Sequence, residues 1–363
     1  MSVYQQIERF RDRLTKSQPS AQLNVPSADV ISTIEMHTGG EPLRVIVTGT
    51  PELTGNTVLE RRACLRDEHD IFRKQLMFEP RGHADMYGCV LVPPNDADGD
   101  FGIIFLHNEG YSTMCGHAII AISTLAWNMG WKTAREGDDN ILLIDAPCGR
   151  ITSFAEIENG KVSQIRFHCV PSFTTSLDQE IQIPGVGSIF YDVAFGGAFY
   201  AYVDLAKNNL DFSITPANYQ EAIRLGSSIK RAVIETNREI AHPLEPEMSF
   251  LYGTIFIEAA HDPNNHSRNV CVFADGEVDR CPTGSGVSGR MAIHFARDEV
   301  AMGQKIRVES IINTCFTGSV VEKRTFAGRD AVIPEIEGSA YLVGQNNFWI
   351  ETGDPIKSGF LLR

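Results

Sequence analysis

Ala118-Ile119-Ile120-Ala121-Ile122-Ser123-Thr124-Leu125-Ala126-Trp127 is a stretch without a charge on any face. The composition reads as a helix over 116–128. A helix that is apolar all round has no side to give to water, so other structure must wrap it. No apolar run in the chain reaches the ~18 residues of a membrane span, so the wrapping has to come from the protein itself. A second helix, 284–297, is almost as apolar through Val287, Met291, Ile293, Phe295 and Ala296, with Arg290 and His294 giving it a polar side. The two starts align without gaps, Cys115-Gly116-His117-Ala118-Ile119-Ile120-Ala121 on Thr283-Gly284-Ser285-Gly286-Val287-Ser288-Gly289. The offset is 168 in a chain of 363 residues. Such spacing points to an internal duplication, with one central helix in each half.

Strands supply the wrapping. Strand-like runs cover 30–36, 43–47, 89–92, 102–106, 141–144 and 162–167 in the first half. In the second they cover 199–203, 254–258, 269–273, 305–308, 319–322 and 340–343. Turn residues punctuate them closely, which suits largely antiparallel pairing. Besides the two apolar helices, helical patterns fall at 59–77 and 217–238. Strands outnumber helices about three to one, so the fold class is α+β, two pseudo-symmetric domains of mixed, largely antiparallel strands around a central helix. The expected division is an N-terminal helix and linker at 1–28, a first domain at 29–193 plus about 345–363, and a second at 194–344. Tyr4, Ile7, Phe10 and Leu14 make the N-terminal helix amphipathic, and 17–27 reads as a Pro/Ser linker.

Charge and cysteines narrow the setting. With 32 Lys+Arg against 46 Asp+Glu, the net charge of −14 argues against nucleic acid, whose phosphates need a basic stripe. The N-terminus lacks the apolar core of a secretory signal. The eight cysteines are scattered with no CxxC, so they read as free thiols in a reducing cytoplasm.

The helix starts carry the chemistry. A first helical turn has unpaired N–H groups and a partial positive charge. Glycine at its beginning lets a ligand approach the backbone closely. Two such turns facing each other would clamp a carboxylate between their amides. A cysteine at the same place is expected to have its thiolate stabilised and its pKa lowered. Taken singly, these residues have ordinary uses: Thr283 as a helix cap, His117 as a first-turn hydrogen bonder, Asp279-Arg280 as a solvated turn. The combination is what singles them out.

Met114-Cys115-Gly116-His117-Ala118 and Asp279-Arg280-Cys281-Pro282-Thr283-Gly284-Ser285-Gly286 resemble the paired active-site motifs of the proline racemase family. Three more segments fit that resemblance: Glu35-Met36-His37-Thr38-Gly39-Gly40-Glu41-Pro42, Glu79-Pro80-Arg81-Gly82-His83-Ala84-Asp85-Met86-Tyr87-Gly88, and Asp192-Val193-Ala194-Phe195-Gly196-Gly197-Ala198-Phe199. Ser267-Arg268-Asn269 fits as well. The resemblance implies two similar halves with the active site between them, both helix starts pointing in, and neither a metal nor an organic cofactor. It implies a small imino acid as substrate and, commonly, a homodimer. Racemases and epimerases of the family use a cysteine on each side of the α-carbon. Here the first motif has Cys115 but the second has Thr283, whose hydroxyl cannot serve as a matched base near neutral pH. That pairing is similar to the branch that dehydrates trans-3-hydroxy-L-proline.

The resemblance casts Cys115 as the catalytic base. Gly116, His117, Gly284 and Ser285 would surround the carboxylate, Asp279 would take the ring ammonium, and Thr283 would line the opposite face. Cys281 should point elsewhere, and His83 and Asp85 have no assigned role. Three alternatives stand beside this reading. One is a proline racemase or hydroxyproline 2-epimerase, which needs a second thiol on Thr283's side. Another is a thiol hydrolase using Cys115 with His117, two side chains expected to diverge at a helix start. The third is a catalytically silent binding protein.

Overall fold

The computed structural model describes residues 1–16, 28–135, 137, 139–236 and 240–362, so the expected linker at 17–27 lies outside the described residues. The N-terminal helix forms at Val3–Lys16 and buries Val3, Ile7 and Phe10. It is fastened to the first half: Phe10 packs 6.0 Å from the Trp131 ring, and Arg11 donates to the carbonyls of Val47 (2.9 Å) and Leu91 (2.8 Å).

Strand pairing repeats itself. In the first half, Ala28–Thr38 pairs antiparallel with Glu41–Ile46, which runs parallel to Tyr87–Val92. An antiparallel step to Phe101–His107 and a parallel one to Asn140–Ala146 follow. Gly149–Glu158 and Lys161–His168 complete the series antiparallel. The second half follows the same order of directions: Gly187–Phe195, Phe199–Asp204, then parallel Leu251–Glu258, antiparallel Ser267–Phe273, parallel Ile306–Glu309, and antiparallel Cys315–Phe326 and Arg329–Gly338. Phe173–Ile183 flanks Gly187–Phe195. In the first half the equivalent flank is filled from the far end of the chain, where Ala340–Glu351 pairs with the whole of Ala28–Thr38. Gly187–Phe195 thus lies between Phe199–Asp204 and Phe173–Ile183, antiparallel to both.

Inside each unit lies one apolar helix. Gly116–Asn128 is buried from Gly116 to Trp127, and Gly284–Ala296 from Gly284 to Ile293. Both have 13 residues, and they keep the offset read from the sequence. Full burial of Ile119, Ile120 and Ile122 is worth ~1.5–3 kcal/mol each before ordering costs. Their buried hydroxyls find partners: Ser123 meets Ser153 at 2.7 Å, Thr124 donates to the Ile120 carbonyl and Ser288 to that of Gly284. The expected helix at 59–77 is two helices, Val58–Glu68 and Asp70–Met77, because His69 leaves helical geometry (φ −131°). No described helix is long and apolar enough to cross a membrane.

A buried ion pair closes the parallel step between Ser267–Phe273 and Ile306–Glu309. Arg268 Nε lies 2.9 Å from Glu309 Oε2, both side chains almost fully enclosed. Burial alone would raise the Glu309 carboxyl, but hydrogen bonds from Asn265, the Asp262 and His261 amides and Arg268 hold it at about 2. Its contribution to stability is therefore present above the ordinary carboxylate range and lost as pH falls toward about 2. Arg268→Ala strands that carboxylate and should cost ~3–5 kcal/mol at neutral pH. Denaturant unfolding at pH 7 and pH 3 checks it, the deficit shrinking at the lower pH.

Candidate active site

The two helix starts meet at glycine. A Cβ on Gly116 would lie 2.6 Å from Gly284 Cα, and one on Gly284 would lie 2.8 Å from Gly116 Cα. Only the absence of side chains lets the two first turns come this close. Phe167 packs beneath both glycines. A small cavity opens here, and its lining includes Cys115, Gly116, His117, Asp279, Thr283, Gly284 and Ser285. All seven residues singled out in the sequence are thus brought together.

 By chain, Cys115, Gly116 and His117 come from the first motif, and Asp279, Thr283, Gly284 and Ser285 from the second.

Each cap works differently. Cys115 is the N-cap of its helix in extended geometry (φ −147°), and its sulfur accepts the Ala118 N–H at 3.4 Å. Because the cap lies outside the helix, its side chain folds back over the first turn. Sγ thereby comes within 3.1 Å of His117 Nδ1, so the expected divergence of these two side chains is corrected. Thr283 caps the second helix from the left-handed region (φ +63°), and its hydroxyl turns away from the helix to donate to Asp279 Oδ2 at 2.8 Å. Asp279 Oδ1 accepts the Cys281 N–H at 2.8 Å. Cys281 is buried and absent from the cavity lining, as expected; its sulfur accepts the Thr283 N–H at 3.3 Å.

The electrostatics depart from the expectation. Burial pushes the Cys115 thiol well above its ordinary range, and the nearby Asp279 and Glu41 charges add to this. Hydrogen bonds from the Ala118 amide and Tyr87 act in the lowering direction without prevailing. An enclosed helix start therefore does not yield a resting thiolate here, since desolvation outweighs a helix-end effect of ~0.3–2 kcal/mol. Burial also lowers His117 to about 4, which leaves a neutral imidazole beside a neutral thiol.

Several lining residues were not foreseen as site residues: Glu41, Tyr87, Met114, Tyr200, Tyr252, Cys271 and Phe273. Glu41 and Tyr87 stand in motifs already noticed. Cys271 and Phe273 alternate along a buried strand and read in sequence as ordinary core. Glu41 Oε2 accepts the Arg280 N–H at 2.7 Å, while Oε1 is buried with no hydrogen-bond partner. Burial, then the charge of Asp279, raises the Glu41 carboxyl well above the usual range. Asp85 does have a partner from the other half, Arg280 at 2.8 Å, whereas His83 is outside the cavity lining. His117, Asp279 and Cys281 also bring ligand-type atoms within 4.8 Å of one another, the set a metal ion would use. All three are engaged within the protein, Asp279 by Thr283 and the Cys281 amide, His117 by Cys115, and the Cys281 sulfur by the Thr283 amide.

In chemical terms, the cavity offers converging helix-start amides for a carboxylate and a carboxylate for an ammonium. A thiol lies at one side and a hydroxyl at the other. The proline racemase family model matches residues 33–361. A trans-3-hydroxy-L-proline dehydratase of Colwellia psychrerythraea is 48% identical over 333 residues, covering 92% of this chain and 93% of the relative. A 3-hydroxyproline 2-epimerase of Burkholderia multivorans is 45% identical, covering 92% and 98%. Among solved structures, a hydroxyproline epimerase from Agrobacterium vitis with bound trans-4-hydroxy-L-proline superposes with a TM-score of 0.84 at 29% identity, covering 92% of this chain and 96% of that one.

Proposed function

This chain belongs to the proline racemase family, and from that premise we propose that it dehydrates trans-3-hydroxy-L-proline to Δ1-pyrroline-2-carboxylate. The observation that carries the reading is a thiol, Cys115, on one side of the cavity with Thr283 at the equivalent helix start. The dehydratase named among the similar proteins supports it.

The substrate's carboxylate lies against the first-turn amides of Gly116, His117, Gly284 and Ser285. Its ammonium faces Asp279, offsetting the negative charge that keeps the Cys115 thiol high. The thiol proton passes to His117 Nδ1, 3.1 Å away, and the thiolate removes the α-proton. Charge developing on the α-carbon and carboxylate is stabilised by amides already in place. The 3-hydroxyl is trans to the carboxylate, so it shares a ring face with the α-hydrogen and leaves by syn elimination. One base is enough. The resulting Δ2 enamine tautomerises to the product. The reaction draws on no metal and no organic cofactor, and the enzyme works in the cytoplasm as a homodimer; eight free cysteines suit a reducing compartment.

A second reading, 2-epimerisation, has one observation in its favour. Cys271 lines the same cavity and hydrogen-bonds Thr283, placing a thiol on that side. Burial and the charge of Asp279 push this thiol well up, so it is a poor base. One experiment separates the readings. Chelator-treated enzyme should convert trans-3-hydroxy-L-proline to pyrroline-2-carboxylate, and NMR of L-proline in D₂O should show no D-proline. Absence of the pyrroline product, or activity that needs added metal, overturns the dehydratase reading; efficient inversion supports the epimerase.

A further inference from the structure

We propose that Tyr87 delivers the proton to the departing hydroxyl, a part of the reaction that Cys115 and Thr283 leave unassigned. The inference rests on the dehydratase reading above. Tyr87 opens the strand Tyr87–Val92, and its ring lines the cavity, edge-on to His117 with centroids 4.8 Å apart. Its hydroxyl is hydrogen-bonded to Ser112 and to the Cys115 sulfur. The phenol O–H is therefore beside the atom that takes the α-proton.

Stereochemistry leads to the same place. The trans 3-hydroxyl projects from the ring face that looks at Cys115. With the ammonium on Asp279, the hydroxyl-bearing carbon lies on the other side of the α-carbon. Asp279 is bonded to Thr283 and Cys281, whereas Tyr87 is bonded to Ser112, Tyr252 and Cys115 and is the phenol next to the sulfur. Tyr200, another phenol in the lining, is engaged by Ser285 at 2.7 Å. Burial keeps Tyr87 protonated until it is called on, its phenol standing well above the ordinary range.

The step balances without an outside donor. The α-proton moves to the Cys115 sulfur, and the electron pair of the broken C–H bond forms the Cα–C3 double bond. The C3–O bond breaks with its pair on oxygen, and Tyr87 donates its proton there to release water. The Cys115 S–H then returns a proton to the phenolate, which restores the phenol and the thiolate, and His117 gives its proton back to the sulfur as product leaves.

Tyr87→Phe in D₂O tests this. Dehydration should fall ~10²–10⁴-fold, the usual worth of a general acid. Recovered trans-3-hydroxy-L-proline should carry deuterium at the α-carbon, because Cys115 still removes and returns that proton. Slow dehydration with unlabelled substrate would mean that Tyr87 only holds the sulfur. Unchanged dehydration would put the acid elsewhere, on His117 or the sulfur itself. Either result overturns the proposal. Should the Phe variant prove unstable, 3-fluorotyrosine placed at position 87 fills nearly the same space; it should move the alkaline limb of kcat to lower pH, and no movement would equally overturn it. If wild type makes no pyrroline-2-carboxylate at all, it is the dehydratase reading that fails.

Discussion

Cys115→Ser should lose at least ~10³-fold in kcat on trans-3-hydroxy-L-proline, near the upper range for removing a general base. A serine oxygen can still accept the Ala118 N–H, so the helix cap and the carboxylate cradle should survive and KM should move little. The loss then falls on proton removal. The raised thiol adds a pH signature. Because burial holds Cys115 well above the ordinary range, the thiolate fraction grows as pH rises, and alkylation by iodoacetate should be slow near pH 7 and accelerate toward alkaline pH. In the substrate-free enzyme His117, lowered to about 4, is neutral over that range and adds no step of its own to the alkylation profile. L-Proline should protect against alkylation. A Cys115→Ser enzyme with ordinary turnover, or a Cys281→Ser enzyme that is dead in its place, would defeat the assignment.

Gly284→Ala should damage both stability and activity. The added methyl carbon would lie 2.8 Å from Gly116 Cα, which is backbone and cannot rotate aside. Overpacking of this kind costs ~1–3 kcal/mol. The larger effect should be on turnover, since separating the two first turns widens the carboxylate cradle, and a misplacement of ~1 Å can cost ~10²-fold. Gly116→Ala should behave alike, with its methyl 2.6 Å from Gly284 Cα. Gly344→Ala is the control: nothing lies within 4 Å of its Cβ position, so stability should stay within ~0.5 kcal/mol. Denaturant midpoints and kcat, measured side by side, check all three. Gly284→Ala with wild-type turnover would mean the helix starts need not touch.

The two apolar helices were legible because pattern alone excludes their exposure. A charge-free stretch from Ala118 to Trp127 has one stable destination, and the offset to the second helix survived unchanged in the fold. Strands such as Leu251–Glu258 were found by their β-branched runs. Gly149–Glu158, Phe173–Ile183 and Arg329–Gly338 leave no such signal, since they mix charged with apolar residues and all three pair through register shifts. The place of Ala340–Glu351 beside Ala28–Thr38 was legible only as the return of the far C-terminus, because pairing partners more than 300 residues apart leave no local trace.

The sequence by itself determined which residue types stand at the two helix starts, and with them the kind of ligand and the one-thiol chemistry. These are local matters of cap, glycine and hydroxyl against thiol. Only the tertiary structure decided that Gly116 and Gly284 touch, that Cys115 reaches His117, and that Glu41, Tyr87 and Cys271 share their cavity. It also reversed the expected direction of the Cys115 thiol. The physical reason is the same in each case. A contact between distant segments and the desolvation of a charge both depend on what encloses a residue, and enclosure is a property of the packed chain rather than of any stretch of it.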